Sequence, residues 1–504
     1  MRLCVCVGLF EIPGCRSRYD CEFLSRRSDA SSTVSATFTG PFESPKMTDW
    51  LNAALDYIPR WIDFQLRQAQ QPGCSIAIAH KGELVLEQAF GVADLASGEA
   101  LTPRHRFRVA SHSKTFTAVG LLKLNEQGRV RLDDAVGSYI DGLHPDVAAV
   151  TLQQLLSHSA GLIRDGGDAS DFQDRKPFRT AAELKADLAL APLLPAAERF
   201  KYSNHGFGLL GLVIAEVTKE PFNSWAAREV VQAAGLRETS ADIGGLDGRL
   251  ARGHTLLQPL GHRLVIPGDN PTNDVASATG FVSTASDLAR FFAQLAPKSE
   301  ARLLSPLSRR EMTRRHWRDH ESTLERWYGL GTISGTLRGW DWFGHSGSFQ
   351  GTLSRTSVFT PEDLAVSVLT NAIDGPAQMW VDGIALILKA YRDGGAPSAE
   401  AAGWASRWWT LWGAVDLVPV GARVLASAPA LMTPLAEVSH IELSGRDSGK
   451  VVRASGFASP GEGVRRVRND NGEVAEVWLG GQRLVSEAAF VQEIAGRYGI
   501  KPGG

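Results

Sequence analysis

Cysteine is scarce: the 504-residue chain has five, and Cys4, Cys6, Cys15 and Cys21 crowd into its first 21 positions, leaving Cys74 alone in the rest. A body with one cysteine has no disulfide framework. No run of about 18 apolar residues occurs, so no membrane-spanning helix is read from the sequence. Charge of one sign is also missing: the net charge is −2, which gives no general pull toward nucleic acid or anionic membrane. No repeat of fixed period is found. No Gly-x-Ser-x-Gly elbow is found either, which argues against an α/β-hydrolase.

What is present describes an ordinary globular protein, 43% hydrophobic and 21% charged, and long enough for two or three domains. The opening MRLCVCVGLF resembles a very short signal h-region, and Ile12-Pro13-Gly14-Cys15 resembles a lipoprotein cleavage site, but Glu11 interrupts the pattern. A cytoplasmic location is therefore expected, with export or lipoprotein anchoring the lesser reading. Residues 16–46 are rich in Ser and Arg without hydrophobic period. Residues 1–46 are expected to be a disordered or artefactual extension, with Met47 beginning the functional polypeptide.

From Thr48 to Gln71, Leu51, Leu55, Ile58 and Ile62 recur at helical spacing, with a kink expected near Pro59. Cys74 to Ala79 and Glu83 to Phe90 read as strands of a hairpin turning at His80-Lys81-Gly82. Residues 111–127 read as a helix, and residues 128 to about 300 as helices and loops. Strands return between Tyr328 and Asn371, including Ser354 to Phe359 and Leu364 to Leu369, and a helix from Ala377 to Tyr391 closes the unit. This order predicts an α+β fold in which the N- and C-terminal pieces share one antiparallel sheet around a helical insertion. The expected domains are 47–392, a linker at 393–403, and a small accessory β-rich domain at 404–504.

Three motifs carry chemistry. Ser111-His112-Ser113-Lys114 opens an apolar helix, and one helical turn puts the hydroxyl and the amine on one face. Lysine acts as a base only where burial or neighbouring cations keep it partly neutral. Tyr202-Ser203-Asn204 follows a polar loop and precedes an apolar helix, a place suited to proton transfer. In His345-Ser346-Gly347-Ser348, small residues would let a strand backbone approach a substrate closely.

In this order the three motifs resemble the serine β-lactamase and penicillin-binding-protein superfamily, most closely its class C-like branch of D-aminopeptidases, D,D-carboxypeptidases and esterases. Leu155-Leu156-Ser157-His158-Ser159-Ala160-Gly161-Leu162 and Gly280 to Leu288 resemble accessory blocks of that branch, and the likeness covers about residues 48–392. It implies a β-lactamase-like antiparallel sheet flanked by helices with a helical subdomain. It also implies Ser111 as acylated nucleophile, Lys114 as its base or relay, Tyr202 as proton shuttle and Asn204 as partner of Lys114 or the substrate amide. The backbone N–H groups of Ser111 and Ser348 would form the oxyanion hole, and Ser346 and Gly347 would line the substrate. No metal or organic cofactor is implied.

The chain departs from the lactamase pattern at His345, where a lysine would supply a fixed positive charge. A neutral imidazole grips a carboxylate less firmly, which shifts the expectation toward peptidase, amidase or esterase activity on a small-molecule or peptide-like substrate. A true β-lactamase or D,D-carboxypeptidase is the alternative, and a non-catalytic scaffold is the rival outside enzymes. Homo-oligomerisation is left open.

Several patterns carry blander meanings. A lone Ser-x-x-Lys is most often a solvated helix turn; only the ordered trio lifts it above that. Gly206-Phe207-Gly208-Leu209-Leu210-Gly211 matches a dinucleotide fingerprint, but no βαβ strand precedes it, so close helix packing is expected. His316 and His320 stand at i and i+4 beside Glu321 on a polar surface stretch. His158 is expected to hold a loop by hydrogen bonding, Arg465, Arg466 and Arg468 to form a solvated strand face, and Trp404, Trp408, Trp409 and Trp412 to pack a domain interface.

Overall fold

The computed structural model describes residues 49–244, 249–454 and 459–499; the expected N-terminal extension and start at Met47 lie outside these. Helix α1, Asp49–Gln68, runs continuously with Pro59 inside it and buries Leu51, Leu55, Ile58, Trp61 and Ile62 along one stripe. Strands β1, Gly73–His80, and β2, Glu83–Asp94, make the expected hairpin, with Lys81 and Gly82 both at positive φ in the turn. A short β3, Glu99–Ala100, adds to its edge.

The chain then enters the helical region, which contains α2, Ser113–Glu126, α3, Asn204–Thr218, and α4, Ala285–Gln294. It returns through β4, Trp317–Arg318, β5, Arg326–Tyr328, β6, Ile333–Leu337, β7, Trp340–Phe349, β8, Thr352–Phe359, and β9, Leu364–Thr370, and closes with α5, Ala377–Gly394. These strands form one nine-stranded sheet in the order β3-β2-β1-β9-β8-β7-β6-β5-β4. Within it β1 and β9 pair antiparallel, with Cys74 opposite Thr370 and His80 opposite Leu364, so the two ends of the sequence share the sheet as expected.

Alternation along β1 divides the core into two layers. Cys74, Ile76 and Ile78 face α1 and α5, while Ala77 and Ala79 join Leu288, Phe291 and Phe292 of α4 on the opposite face. The glycines of the fingerprint in α3 serve packing: a Cβ on Gly208 would meet Leu184, and one on Gly211 would meet Ser277.

Eight further strands, from Ser406–Thr410 to Gln482–Val485, close into a barrel. Of the residues between it and the sheet unit, Asp393 and Gly394 end α5, and Ala399–Ala402 form a short helical turn. Trp404 and Trp408 do not pack an interface: they lie inside the barrel with Leu417, Ile441 and Val477. Trp409 does reach α1, its ring 5.9 Å from Phe64, whereas Trp412 is exposed. The arginine stretch also departs from a bare solvated face. Arg466 lies over the Trp404 ring and donates to the Gly403 carbonyl, and Arg468 pairs with Asp447. The barrel seats on the α1 and α5 layer, where Val418, Val420, Leu425 and Val438 join the same core as Ile58 and Ile384. Among the described residues, no helix is long and apolar enough to cross a membrane.

Candidate active site

Ser111 belongs to a 3-10 turn, Ala110–His112, that runs directly into α2. Ala110 adopts φ 48°, a conformation costly for an L-residue with a Cβ, so backbone strain sits immediately before the serine. The turn is held by its neighbours. Ser113 Oγ donates to the Ala110 carbonyl at 2.5 Å and accepts from Phe281 N at 2.9 Å. His112 is fully buried, its Nε2 lying 3.0 Å from Thr356 Oγ1 on β8 and its Nδ1 3.1 Å from the Val109 carbonyl. Burial pushes its imidazole down to about 3, so His112 is a neutral tie between turn and sheet.

One turn onward, Lys114 is completely buried, and its Nζ lies 3.2 Å from Ser111 Oγ. The same nitrogen donates to Asn204 Oδ1 at 2.6 Å and to the Ala278 carbonyl at 2.8 Å. Desolvation holds the amine well below its ordinary range; Asp165 opposes that effect and Arg164 adds to it.

Tyr202 and Asn204 are placed by the start of α3. Ser203 is its N-cap, its Oγ accepting from Gly206 N at 2.9 Å and donating to the Ile163 carbonyl at 2.6 Å. His158 does hold this loop, its Nδ1 accepting from Ser203 N at 3.2 Å while its ring lies 4.1 Å from that of Tyr202. The Tyr202 hydroxyl donates to Ser111 Oγ at 2.8 Å. Burial raises its phenol above the ordinary range, so the phenol keeps its proton at neutral pH. Of the two groups against Ser111, the amine is thus the one available to take a proton.

The third motif lies on β7. A Cβ on Gly347 would sit 2.1 Å from the Val109 carbonyl oxygen, so only glycine lets the strand lie against the turn that carries Ser111. Ser346 and Ser348 line the cleft on either side of it. His345 lies in the cleft wall, but its ring is engaged: Nε2 is 3.0 Å from the Tyr328 hydroxyl, and Nδ1 faces the Ser346 backbone. Burial above all holds it well below the ordinary histidine range. An imidazolium gripping an anionic substrate is therefore disfavoured here.

The cleft has a volume of about 660 Å³, and Ser111, Tyr202, Asn204, His345, Gly347 and Ser348 all line it. It adjoins a second recess of about 750 Å³ through the shared residues Arg164, Phe172 and Ser348. That recess is walled by Leu256, Pro259, Leu260, Ile266 and Phe349, and by Gln350, whose buried Oε1 has no partner. No barrel residue lines either space among the described residues.

Two participants had not been singled out from the sequence. Asp165 accepts from Asn204 Nδ2 at 2.5 Å, and Tyr328 is the partner of His345. The signal for Asp165 was its place just beyond the Leu155–Leu162 block; nothing local distinguished Tyr328. Among the described residues no group of three His, Cys, Asp or Glu could hold a metal ion.

The Beta-lactamase family model matches residues 58–390. Protein flp of Staphylococcus aureus strain COL is 28% identical over 196 residues, 38% of this chain and 39% of its own length. The solved structure of the octameric penicillin-binding protein homologue from Pyrococcus abyssi is similar with a TM-score of 0.62 at 21% identity, over 86% of this chain and all of that one. The D-amino acid amidase from Ochrobactrum anthropi SV3, complexed with L-phenylalanine amide, is similar with a TM-score of 0.59 at 22% identity, over 68% of this chain and all of that one. The D-stereospecific amidohydrolase from Streptomyces sp. gives a TM-score of 0.55 at 25% identity, over 66% and 97% of the two chains.

Proposed function

Because this chain belongs to the beta-lactamase family, we propose that Ser111 is the nucleophile of a serine hydrolase that cleaves an amide or ester through an acyl-enzyme. One observation carries this: Ser111 Oγ stands between a buried lysine amine at 3.2 Å and a tyrosine hydroxyl at 2.8 Å.

In the first half-reaction Ser111 Oγ attacks the substrate carbonyl carbon and its proton passes to Lys114 Nζ. The tetrahedral oxyanion is held by the backbone N–H groups of Ser111 and Ser348, a contribution of about 3 to 4 kcal/mol per donor in other hydrolases. The bond to the leaving group breaks as a proton moves from Lys114 through Tyr202 to the leaving nitrogen or oxygen. Water then attacks the acyl carbon, its proton passing through Tyr202 to Lys114; the bond from that carbon to Ser111 Oγ breaks as Lys114 returns the proton to Oγ, and the acid leaves.

The leaving group must reach Tyr202, which lines only the first cleft, so the acyl portion extends past Ser348 toward the apolar recess. An apolar acyl group of an amino acid or small peptide fits this chemistry, and the amidase relatives support it. A second reading, D,D-carboxypeptidase or true β-lactamase, draws on Arg164 and Arg326 in the cleft wall, either of which could meet a carboxylate.

Residues 47–392 are assigned to the hydrolase unit, 393–403 to the joint and 404–504 to an accessory domain. A homo-oligomer is in keeping with the octameric relative and would be read by light scattering. A cytoplasmic setting is in keeping with the single cysteine, Cys74, beyond residue 21.

The deciding experiment is labelling with a fluorophosphonate together with hydrolysis of p-nitrophenyl esters and D-amino acid p-nitroanilides, alongside Ser111→Ala. Labelling and turnover that vanish in the variant are expected; activity that survives it would overturn the assignment. Nitrocefin turnover or release of terminal D-alanine would select the second reading.

A further inference from the structure

We propose that Asp165 is a positioning residue that fixes the orientation of the Asn204 amide, so that the lone pair of Lys114 is left facing Ser111. This rests on the acyl-enzyme assignment above and extends it to a residue outside the three motifs.

A carboxylate can only accept, so the Asn204 atom 2.5 Å from Asp165 Oδ1 must be the amide nitrogen, and Oδ1 is then turned to Lys114 at 2.6 Å. A neutral lysine amine has two N–H bonds and one lone pair. The two carbonyl oxygens of Asn204 and Ala278 take the two N–H bonds. What remains toward Ser111 Oγ, 3.2 Å away, is the lone pair that accepts the serine proton. With the amide reversed, Nδ2–H would point at Nζ and compete for that lone pair. Asp165 is itself held, its Oδ2 3.3 Å from Arg164 Nε and its side chain only 12% exposed. The titratable and charged groups around Lys114 are Tyr202, His158, His345, Asp165 and Arg164.

The test is the pH dependence of fluorophosphonate labelling at Ser111, followed by intact mass, for the full chain and for Asp165→Asn, Asn204→Ala and the double variant. In Asp165→Asn the carboxylate can no longer dictate the amide orientation. The plateau rate falls about tenfold or more, and the rising limb moves to lower pH because an anion near the amine is gone. In the Asn204→Ala background the same substitution changes the plateau by no more than about twofold, since the residue through which it acts is missing. Asp165→Ala replaces Asp165→Asn if thermal unfolding shows the latter to be misfolded.

A parental plateau in Asp165→Asn, or a slowing that multiplies undiminished with Asn204→Ala, overturns the proposal alone. A limb that moves to higher pH also does so, since it would report water entering a loosened site. Absence of Ser111 labelling in the parent protein overturns the acyl-enzyme assignment instead, and this proposal with it.

Discussion

The Tyr57 hydroxyl on the first helix donates to Asp416 Oδ2 in the barrel at 2.9 Å. Arg407 reaches the same carboxylate at 2.6 Å, and Asp416 is 1% exposed. Removing the carboxylate strands a largely buried guanidinium and a buried phenol, so Asp416→Ala is expected to destabilise the protein by about 3 to 5 kcal/mol. Since no described barrel residue lines the cleft, labelling of Ser111 per folded molecule should stay at the parental rate below the melting transition. Denaturant unfolding and labelling on the same samples check both halves; a lost labelling rate at full folding would mean that the barrel shapes the site.

Acylation should rise with pH through the depressed titration of Lys114 and then level. The sign follows from the base: the protonated amine has no lone pair, and burial favours the deprotonated form at lower pH than for a free lysine. Tyr202, raised above its ordinary value, keeps its proton through the plateau. Because burial holds His345 well below the ordinary histidine range, it is expected to add no inflection between pH 5 and 8. A profile that falls across that interval for an anionic substrate would restore a cationic role to His345.

Gly347→Ala places a methyl where the Val109 carbonyl lies. Either β7 or the turn bearing Ser111 must move, at a cost of about 1 to 3 kcal/mol. Because proximity is the basis of the site, the labelling rate should fall by about 100-fold. Thermal melts and labelling kinetics report the two effects separately.

Tyr328→Phe removes the hydroxyl partner of a buried imidazole nitrogen, at a cost of about 1 to 3 kcal/mol. His345 does not touch Ser111 Oγ in the hydrogen-bond network, so the labelling rate should drop only a few-fold, far less than for Lys114→Ala. A loss as large as that of Lys114→Ala would place the Tyr328 and His345 pair in the proton path.

Leu260→Asp puts a charge into the wall of the apolar recess. For a series of p-nitrophenyl esters, the preference for longer acyl chains should be lost while acetate hydrolysis is retained, each buried methylene being worth about 0.8 kcal/mol. An unchanged chain-length series would remove the recess from the acyl site.

Local chemistry accounts for most of what was legible beforehand. Ser111 and Lys114 share a face because three residues are one turn, and Tyr202 and Asn204 flank an N-cap, so both pairs announce themselves within four positions. Asp165 and Tyr328 act through contacts made across the fold, to Asn204 and His345, and Asp165 is one of several aspartates in a polar loop that also holds Asp168, Asp171 and Asp174. The barrel was legible only as a small β-rich domain; its closure depends on eight strands whose alternation is weak one by one. Trp404 and Trp408 were misplaced at an interface for the same reason, since an inward-facing tryptophan is recognised only once the barrel encloses it.

The pairing of Cys74 with Thr370 also sets an order for the newborn chain. At roughly 5 to 20 residues per second, the hairpin of β1 and β2 leaves the ribosome on the order of 15 to 60 s before β9 exists to cover its inner edge. Through that interval a strand that ends up almost wholly buried stands with a row of unpaired amides, the kind of surface to which other chains add. The yield of this protein in a cell thus depends on what shields one strand during translation, and slowing synthesis ahead of residue 364 should lower it.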